Sequence, residues 1–251
     1  MNSSPFDQPI AHRGLHNRDE GVIENSASAF EAAIARGFAI ECDLQLTGDG
    51  EAVVFHDHDL ERLTGRSGSI HDVTADDICN TPLLLSKAGD RPQTFAAFLD
   101  QIANRTPLVV EIKHQANPAA RDALTKRAVE AAKSYQGPLV FKSFDPHTLK
   151  ALRDAGYKGP LGIVTYAYRN PEWDGQYSPL QRFVLRHLLH WPVSRFTFVS
   201  CERTALALPA IRFCRALGTK VMSWTVKDKA HVPEVLRHAD QIVFEGFDPG
   251  S

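Results

Sequence analysis

Two acids and a histidine lie close together in one short stretch of the sequence, residues 39 to 57. Glu41 and Asp43 are two positions apart in a strand-like run, so their side chains point to the same face. His56 follows in a second strand-like run. Carboxylate oxygens bind hard cations, and an imidazole can transfer protons near neutral pH. The stretch therefore contains the groups that a metal-assisted reaction with proton transfer requires.

The Gly-Asp dipeptide at 48–49 predicts a tight turn between two antiparallel strands. If these are the two loop residues, Thr47 pairs with Gly50, and counting along both strands places His56 directly opposite Glu41. A register shifted by one residue would turn His56 to the other face. Acids and histidines at a hairpin are also common as solvated surface groups, and this stretch alone does not separate the two interpretations.

The rest of the chain alternates between strand-like and helix-like segments. Apolar runs predict strands at 9–14, 39–47, 107–114, 139–144, 161–165, 196–200, 221–225 and 241–245. Helical segments separate them, at 24–37, 94–103, 118–134, 146–155, 207–217 and 230–238, with a long loop and a further helix after 161–165. The alternation predicts an α/β fold, a (β/α)8 TIM barrel, with a doubly wound sheet as the alternative. We expect one domain over 1–251, with a small insertion at about 58–93 after the second strand and its hairpin return.

The C-terminal ends of the predicted strands carry polar and charged residues. In a barrel of this type the chemistry lies at that end of the strands. Burying several charges without partners costs several kcal/mol for each charge, so this clustering favours a functional site. The residues are His12, Arg13, Glu41, Asp43, Glu111, Lys113, Lys142, Ser143, Ser200, Glu202, Trp224 and Glu245.

Composition and charge narrow the class of function. The 28 basic and 30 acidic residues nearly cancel, so the bulk charge does not predict binding to nucleic acid or to an anionic membrane surface. We find no apolar run long enough to span a bilayer and no secretory signal pattern. The four cysteines, at 42, 79, 201 and 214, are far apart, which is typical of free thiols in a reducing compartment. The cytoplasm is the expected location, and the oligomeric state is open.

Several motifs, in order along the first half of the chain, resemble the fingerprint of glycerophosphodiester phosphodiesterases. They are His12-Arg13-Gly14, Glu24-Asn25, Glu41-x-Asp43, His56-Asp57 and Glu111-x-Lys113, with weaker echoes in Lys142-Ser143-Phe144-Asp145 and Ser223-Trp224-Thr225. The resemblance implies a barrel of the phosphatidylinositol phospholipase C type, active in lipid metabolism. It would use one divalent cation to hydrolyse a glycerophosphodiester to glycerol 3-phosphate and an alcohol. The chain has Ile23 where the family commonly has proline, and it departs from the family's pattern near the last strand, which leaves the alcohol open.

Three acids form the expected metal site, Glu41, Asp43 and Glu111. They offer only hard oxygen donors, which favours Mg²⁺ or Ca²⁺ over zinc. Arg13 and Lys113 are expected near the phosphate, where their charge would stabilise the negative charge that develops on its oxygens. A structural pairing of Lys113 with the acids is the alternative.

Two histidines are expected to transfer the protons. A diester displacement needs one group to deprotonate the nucleophile and one to protonate the leaving alkoxide. By resemblance, His12 is the base and His56 is the acid. The nucleophile is either water or, for a glycerol ester, the neighbouring hydroxyl with a transient cyclic phosphate.

Two further site candidates have structural alternatives. Asn25 is a candidate contact of the substrate phosphate, although Glu24-Asn25 also suits the start of a helix. Trp224 is a candidate aromatic wall for the substrate, although aromatic residues are core residues first.

The loop that follows the fifth parallel strand, residues 166–179, contains Tyr166, Tyr168, Trp173 and Tyr177. Long loops on the catalytic face often act as lids or binding elements, so this one is a candidate selector of the alcohol. The alternative is ordinary packing against the helix at 180–190.

Other functions remain open from sequence alone. The substrate is expected to be a small glycerophosphodiester or a lysolipid. The alternatives are a lyase similar to sphingomyelinase D, a phosphodiesterase similar to lysophospholipase D, and a non-catalytic barrel that binds a phosphodiester.

Overall fold

The structure, a computed structural model, describes residues 4–169, 175 and 177–250. Its described part contains a closed ring of eight parallel strands and a short antiparallel extension of strand β2. The ring consists of β1 (Ile10–Ala11), β2 (Ala39–Leu46), β5 (Leu108–Ile112), β6 (Leu139–Ser143), β7 (Leu161–Thr165), β8 (Phe198–Glu202), β9 (Lys220–Val226) and β10 (Gln241–Phe244), and the extension of β3 (Ala52–Val54) and β4 (Gln93–Thr94). The (β/α)8 barrel is the predicted fold.

Helices surround the ring, and many begin at a side-chain cap. Thr94 accepts a hydrogen bond from the backbone N–H of Ala97 at the start of α4, and Ser26 caps α1 in the same way. The helices are α1 (Ala27–Ala35), α2 (Glu61–Thr64), α3 (Ala75–Cys79), α4 (Phe95–Ile102), α5 (Pro118–Ala132), α6 (Pro146–Asp154), α7 (Pro179–Arg186), α8 (Trp191–Ser194), α9 (Pro209–Ala216) and α10 (Val232–His238). None of these described helices combines the length and apolar character that crossing a membrane requires.

The two-residue strand β1 closes the ring. Ile10 pairs with Val243 of β10 on one side and with Ala39 of β2 on the other. Ala39 belongs to an apolar cluster inside the ring, and Glu41 and Asp43 share its face because strand side chains alternate. The opposite face of β2 packs in the core between strands and helices, through Ile40, Cys42, Leu44 and Leu46. The alternation therefore turns both acids into the barrel.

The hairpin forms between β2 and β3, but its predicted register is wrong by one residue. Leu44 pairs with Val54 and Leu46 with Ala52, and the N–H of Thr47 donates to the carbonyl of Glu51 at 2.9 Å. The loop therefore has three residues rather than two. Its last residue, Gly50, has φ +83°, the left-handed conformation that three-residue hairpin loops place in glycine.

His56 is consequently not paired opposite Glu41. The ladder of β3 ends at Val54, and the N–H of Phe55 makes one more bond, to the carbonyl of Asp43 at 3.0 Å. Beyond that point the chain leaves the sheet, so the strand alternation no longer fixes the direction of the His56 side chain.

Residues 58–93 form the predicted insertion, between β3 and β4. They contain α2, α3 and a 3-10 helix at Ile70–Asp72. Their apolar side chains pack with the hairpin in a second core, formed by Ile23, Val53, Phe55, Leu60, Leu63, Ile70, Ala75, Ile78 and Leu83. The insertion therefore covers the barrel beside the return strand.

Candidate active site

A cavity of about 340 Å³ lies at the C-terminal ends of the barrel strands. Its walls come from five of the ring strands or the residues that follow them, and from His56 after the hairpin return. The lining residues are His12, Arg13, Asp43, His56, Glu111, Lys113, Lys142, Phe144, Trp224 and Thr225. Both predicted proton-transfer residues therefore face the same space.

Three buried acids, the predicted metal ligands, lie together at this cavity. Asp43 of β2 and Glu111 of β5 are direct neighbours in the parallel pairing, and Glu41 is on the same face two residues earlier. One oxygen of each carboxylate lies within 4.8 Å of the others, and all three side chains are buried. Three oxygen ligands at this spacing fit a divalent cation such as Mg²⁺ or Ca²⁺, with substrate and water completing its shell.

Two lysines neutralise these acids. Lys113 Nζ lies 3.0 Å from Glu111 Oε1 and 3.4 Å from Asp43 Oδ1. Lys142 Nζ lies 2.9 Å from Glu41 Oε1 and 3.1 Å from Glu111 Oε2, and its side chain is 3% exposed. In the sequence Lys142 lies at the end of a predicted strand, but no pattern there assigns it a role. The signal that identifies its position is the pairing of β5 with β6, which puts Glu111 beside Lys142.

The lysines determine the charge of the acids. Burial alone would raise the pKa of Asp43, but the charges of Lys113, His56 and Arg13 outweigh it and hold the pKa well below its usual range. Burial likewise opposes ionisation of Glu111, yet Lys113 and Lys142 lower its pKa to about 2. Both carboxylates are therefore ionised near neutral pH, as metal ligands must be.

Arg13 reaches the cavity from a strained turn after β1. Its φ is +57° and that of Gly14 is +80°, and a Cβ on Gly14 would lie 2.9 Å from the backbone of Ala29. Glycine is required there by both conformation and space. The Arg13 guanidinium contacts Glu24 at 2.7 Å and Asp43 at 3.3 Å.

Asn25 supports an acid rather than lining the cavity. It is buried, has φ +52°, and its side-chain amide donates to Asp43 Oδ2 at 3.0 Å. Its amide oxygen accepts a long hydrogen bond, 3.4 Å, from the N–H of Asp43. The helix that follows is capped by Ser26, so the Glu24-Asn25 pair is not its N-cap. A contact between Asn25 and the substrate phosphate stays a prediction.

Each histidine is oriented by its own carboxylate. His12 Nδ1 lies 2.7 Å from Glu245 Oε2, and His56 Nδ1 lies 2.7 Å from Asp57 Oδ1. An ionised carboxylate can only accept, so Nδ1 carries the hydrogen in each pair and Nε2 is the atom left for proton exchange. His12 Nε2 is 4.0 Å from Glu41 Oε2. The sequence predicts Glu245 at a strand end, but no sequence pattern indicates that it pairs with His12, 233 residues away.

Arg62, from the insertion, links the two sides of the site. Its guanidinium contacts Asp57 at 2.6 Å and 3.0 Å and Glu24 at 2.7 Å and 2.8 Å. These two carboxylates are the partners of His56 and of Arg13. No sequence motif marks Arg62 as a site residue.

Trp224 forms part of the cavity wall at the end of β9. Its indole N–H donates to the carbonyl of Ser200 at 3.0 Å, and its ring packs edge-on against Phe144 at a centroid distance of 5.6 Å. The predicted loop aromatics Tyr166 and Tyr168 are buried and pack with Leu185 of α7, whereas Trp173 lies outside the described residues. The two tyrosines therefore pack against the following helix.

Comparison with known proteins gives one consistent result. A family model described as the Glycerophosphoryl diester phosphodiesterase family matches residues 12–244. A glycerophosphodiester phosphodiesterase of Caldanaerobacter subterraneus subsp. tengcongensis is 25% identical over 236 residues, which cover 91% of this chain and 89% of that protein. Glycerophosphodiester phosphodiesterase 1 of Bos taurus is 24% identical, over 86% of this chain and 71% of that protein.

Solved structures share the architecture. A glycerophosphodiester phosphodiesterase from Parabacteroides distasonis aligns with a TM-score of 0.73 at 23% identity, over 94% of this chain and 92% of the other. A phosphodiesterase from Oleispira antarctica, solved in complex with the product sn-glycerol-3-phosphate, aligns with a TM-score of 0.77 at 20% identity, over 96% of this chain and 95% of the other. The TIM-barrel prediction is confirmed.

Proposed function

The chain belongs to the glycerophosphoryl diester phosphodiesterase family, and from this membership we propose that it hydrolyses a glycerophosphodiester to glycerol 3-phosphate and an alcohol, using one divalent cation. The observation that carries the proposal is a single cavity with two carboxylate-held histidines, buried acids and basic residues on its walls. These are the groups that attack on a phosphodiester requires. The Oleispira antarctica enzyme, with its glycerol 3-phosphate product, supports the same product here.

The cation would be held by Glu41, Asp43 and Glu111. Their ligand atoms lie within 4.8 Å of one another, and a set of oxygen donors suits Mg²⁺ or Ca²⁺. A bound divalent cation supplies charge that stabilises the phosphate oxygens as the diester is attacked. Asn25 holds Asp43 in place through its amide, and the N–H of Arg13 does the same for Glu41 Oε2 at 3.1 Å.

The side chains of the chain itself perform the remaining tasks. Arg13 and Lys113 bind and orient the phosphate, because both line the cavity with their charge beside the acids. His12 removes the proton of the nucleophile and His56 protonates the leaving alkoxide, each at Nε2. The pairing of both Nδ1 atoms with carboxylates supports proton exchange at that nitrogen. The assignment of base and acid follows the family resemblance.

We also propose that residues 1–251 act as one catalytic domain located in the cytoplasm. Arg62 of the insertion contacts Asp57 and Glu24 beside the barrel cavity, so the insertion and the barrel share the site. All four cysteines are free, which suits a reducing compartment.

Product analysis tests the reaction. Incubation with glycerophosphocholine should give glycerol 3-phosphate and choline when Mg²⁺ or Ca²⁺ is present. A cyclic phosphate as the end product would instead identify a lyase similar to sphingomyelinase D. Release of no product from any glycerophosphodiester or lysolipid would contradict the proposal.

Metal dependence has its own prediction. Chelation should abolish activity, and addition of Mg²⁺ or Ca²⁺ should restore it. The variants Glu41→Gln, Asp43→Asn and Glu111→Gln should each need a higher metal concentration for half-maximal activity, because each removes a charged oxygen ligand. The measurement is a metal titration of initial rate together with direct metal binding by calorimetry. Full activity in chelator, with no metal in the protein, would exclude this part of the proposal.

A further inference from the structure

A second cavity, of about 500 Å³, lies beside the catalytic one. Apolar side chains of α7, of α8 and of the turn between them form one wall, and the residues after β6 form the other. The principal apolar residues are Phe144, Tyr177, Leu180, Val184, Leu189 and Val193. We call this cavity the α7 groove. Its volume lies within the roughly 300–1,000 Å³ typical of small-molecule sites.

The α7 groove begins where the catalytic cavity ends. Phe144 lines both cavities, and its ring packs edge-on against Trp224 of the catalytic wall at 5.6 Å. Leu185, on the other side of the groove, packs with Tyr166 and Tyr168 in an apolar cluster that also includes Phe144 and Trp224. A single ligand can therefore extend from one cavity into the other along an apolar surface.

The groove leaves large apolar side chains in contact with solvent. Leu180 is 71% exposed, Leu189 56% and Val193 40%. A contiguous exposed apolar surface beside a polar site is a mark of ligand binding, whereas single exposed residues are not. Burial of this surface by an apolar ligand would be favourable.

Two of the described polar residues of the groove, Asp145 and His190, are engaged within the protein. The carboxylate of Asp145 caps α6 and accepts from the N–H of His147 and the hydroxyl of Thr148. His190 Nδ1 is paired with Ser194 Oγ at 3.0 Å, and burial lowers the pKa of His190 to about 4, so it is neutral near pH 7. Because apolar side chains form most of its wall, the groove suits a hydrocarbon chain.

We propose that the α7 groove binds the hydrocarbon chain of a phosphodiester lipid with one chain, while its phosphate lies in the catalytic cavity. This inference rests on the proposed function and names the substrate class. The reaction remains hydrolysis: the bond between phosphorus and the leaving alcohol oxygen breaks, a bond to the oxygen of water forms, and the proton of water ends on the alcohol. The chain is carried either by the glycerol, as in a lysophospholipid, or by the alcohol.

The test compares substrates with and without a chain. We expect kcat/KM to rise with chain length from glycerophosphocholine through short, medium and long 1-acyl-glycerophosphocholines, measured below their micelle concentrations. A parallel series of glycerophosphodiesters with alkyl alcohols of increasing length separates the two positions of the chain. A rise in one series assigns the chain to that side, and no rise in either overturns the proposal.

Variants of the groove wall test the site itself. The double variant Leu180→Gln, Leu189→Gln should raise KM for the long-chain substrate by about tenfold or more while leaving turnover of glycerophosphocholine unchanged. Both residues are more than half exposed, so the fold should tolerate the change. Leu217→Gln is the matched control, because Leu217 is 70% exposed, follows α9 and does not line the groove. An equal KM for wild type, groove variant and control would overturn the proposal.

Three further outcomes are distinguishable. If glycerophosphocholine is hydrolysed and the chain gives no advantage, the groove proposal fails and the proposed function stands. If nothing is hydrolysed, calorimetric binding of dodecylphosphocholine to the wild type and to the groove variant still tests the groove.

Light scattering measures the oligomeric state and gives the third outcome. If the wild type is a dimer, the double variant is a monomer and the chain preference is unchanged, the groove is an interface between copies and the proposal is wrong.

Discussion

The two histidines of the cavity have the same local arrangement, an imidazole whose Nδ1 is held by a carboxylate. Orientation by a carboxylate fixes the tautomer and supports the positive charge that forms during proton transfer. The partners differ in origin, because Asp57 is the next residue after His56 whereas Glu245 follows the last strand. Lys227 also contacts Glu245, at 3.1 Å, so a cation lies beside this carboxylate as well as the imidazole.

We expect His12→Ala and His56→Ala each to lower kcat by about 10²-fold or more, because general acid–base catalysis contributes roughly 10²–10⁴-fold. Steady-state kinetics at saturating metal measure the effect, and calorimetry should show unchanged metal binding. His238→Ala, at an exposed histidine of α10, is the control. Near-normal turnover in either site variant would remove that residue from the mechanism.

Lys142 permits a second prediction at the residue scale. Replacing it by methionine removes the cation that lies 2.9 Å from Glu41 and 3.1 Å from Glu111. Breaking a buried ion pair on one side costs about 3–5 kcal/mol, because the other charge is left buried and unpaired. In chelator, Lys142→Met should therefore lower the free energy of unfolding measured by urea denaturation.

A divalent cation should reduce this deficit, because it replaces the missing positive charge beside the same carboxylates. The two measurements, with chelator and with Mg²⁺ or Ca²⁺, are made on the same variant. Equal stability of Lys142→Met and wild type in chelator would show that the lysine does not neutralise the acids as the geometry indicates.

At the scale of elements, the insertion takes part in the site through α2. Arg62 holds Asp57 and Glu24 together, and these in turn hold His56 and Arg13. The pKa of Glu24 is lowered to about 2. Burial would raise it, but the hydrogen bonds from Arg62 and the charge of Arg13 outweigh the effect of burial. Arg62 is thus a positioning residue, since it does not line the catalytic cavity.

Arg62→Ala should lower kcat by about tenfold or more, within the range typical of residues that support site ligands indirectly. Arg66→Ala is a closely matched control: the side chain of Arg66 is 40% exposed against 42% for Arg62, and it pairs with Asp77 instead. The pH profile of kcat should also shift for Arg62→Ala, because Asp57 loses a cation that stabilises its charge. Identical kinetics for the two variants would assign Arg62 a purely structural role.

The hairpin shows which part of an element a sequence predicts. Both strands and the turn were predicted, but the register was wrong, because Gly48-Asp49-Gly50 offers glycine at both ends and fits a loop of two or of three residues. The hydrogen bond from Thr47 to Glu51 distinguishes the two. His56 lines the cavity because the ladder stops at Val54, a tertiary effect that periodicity does not contain.

Lys142 and Glu245 show the same limit of prediction from sequence. The sequence predicts their strands closely, but their roles depend on which strands become neighbours and in which register. The register that sets Glu111 beside Lys142 and the closure that brings Glu245 to His12 are properties of the assembled ring. The motifs that resemble the family, by contrast, are local and needed no tertiary information.

At the scale of the whole molecule, the barrel was predictable because eight apolar runs alternate with amphipathic segments over the chain. The ring has an apolar interior near Ile10, Val109 and Met222 and a charged interior at the C-terminal ends. Several charges are thus buried together, and their mutual neutralisation connects stability with pH.

The protein should lose stability in acid between about pH 4.5 and about pH 2. The folded-state pKa values of Glu111 and Glu24 are lowered from 4.5 to about 2, so their stabilising contribution is complete above the unfolded value and is lost as the pH falls towards the folded one. Urea denaturation across this range measures the slope. Glu111→Gln should flatten it, and an unchanged slope in that variant would contradict the assignment.

The bond between His12 and Glu245 joins the residue after the first strand to the residue after the last one. During synthesis the ribosome releases Glu245 long after His12, so a nascent chain cannot orient this histidine until barrel closure. Catalysis thus becomes a reporter of complete folding. The same separation suits a split-enzyme assay, in which one fragment supplies His12, the other supplies Glu245, and phosphodiesterase activity returns only when the two fragments reassemble.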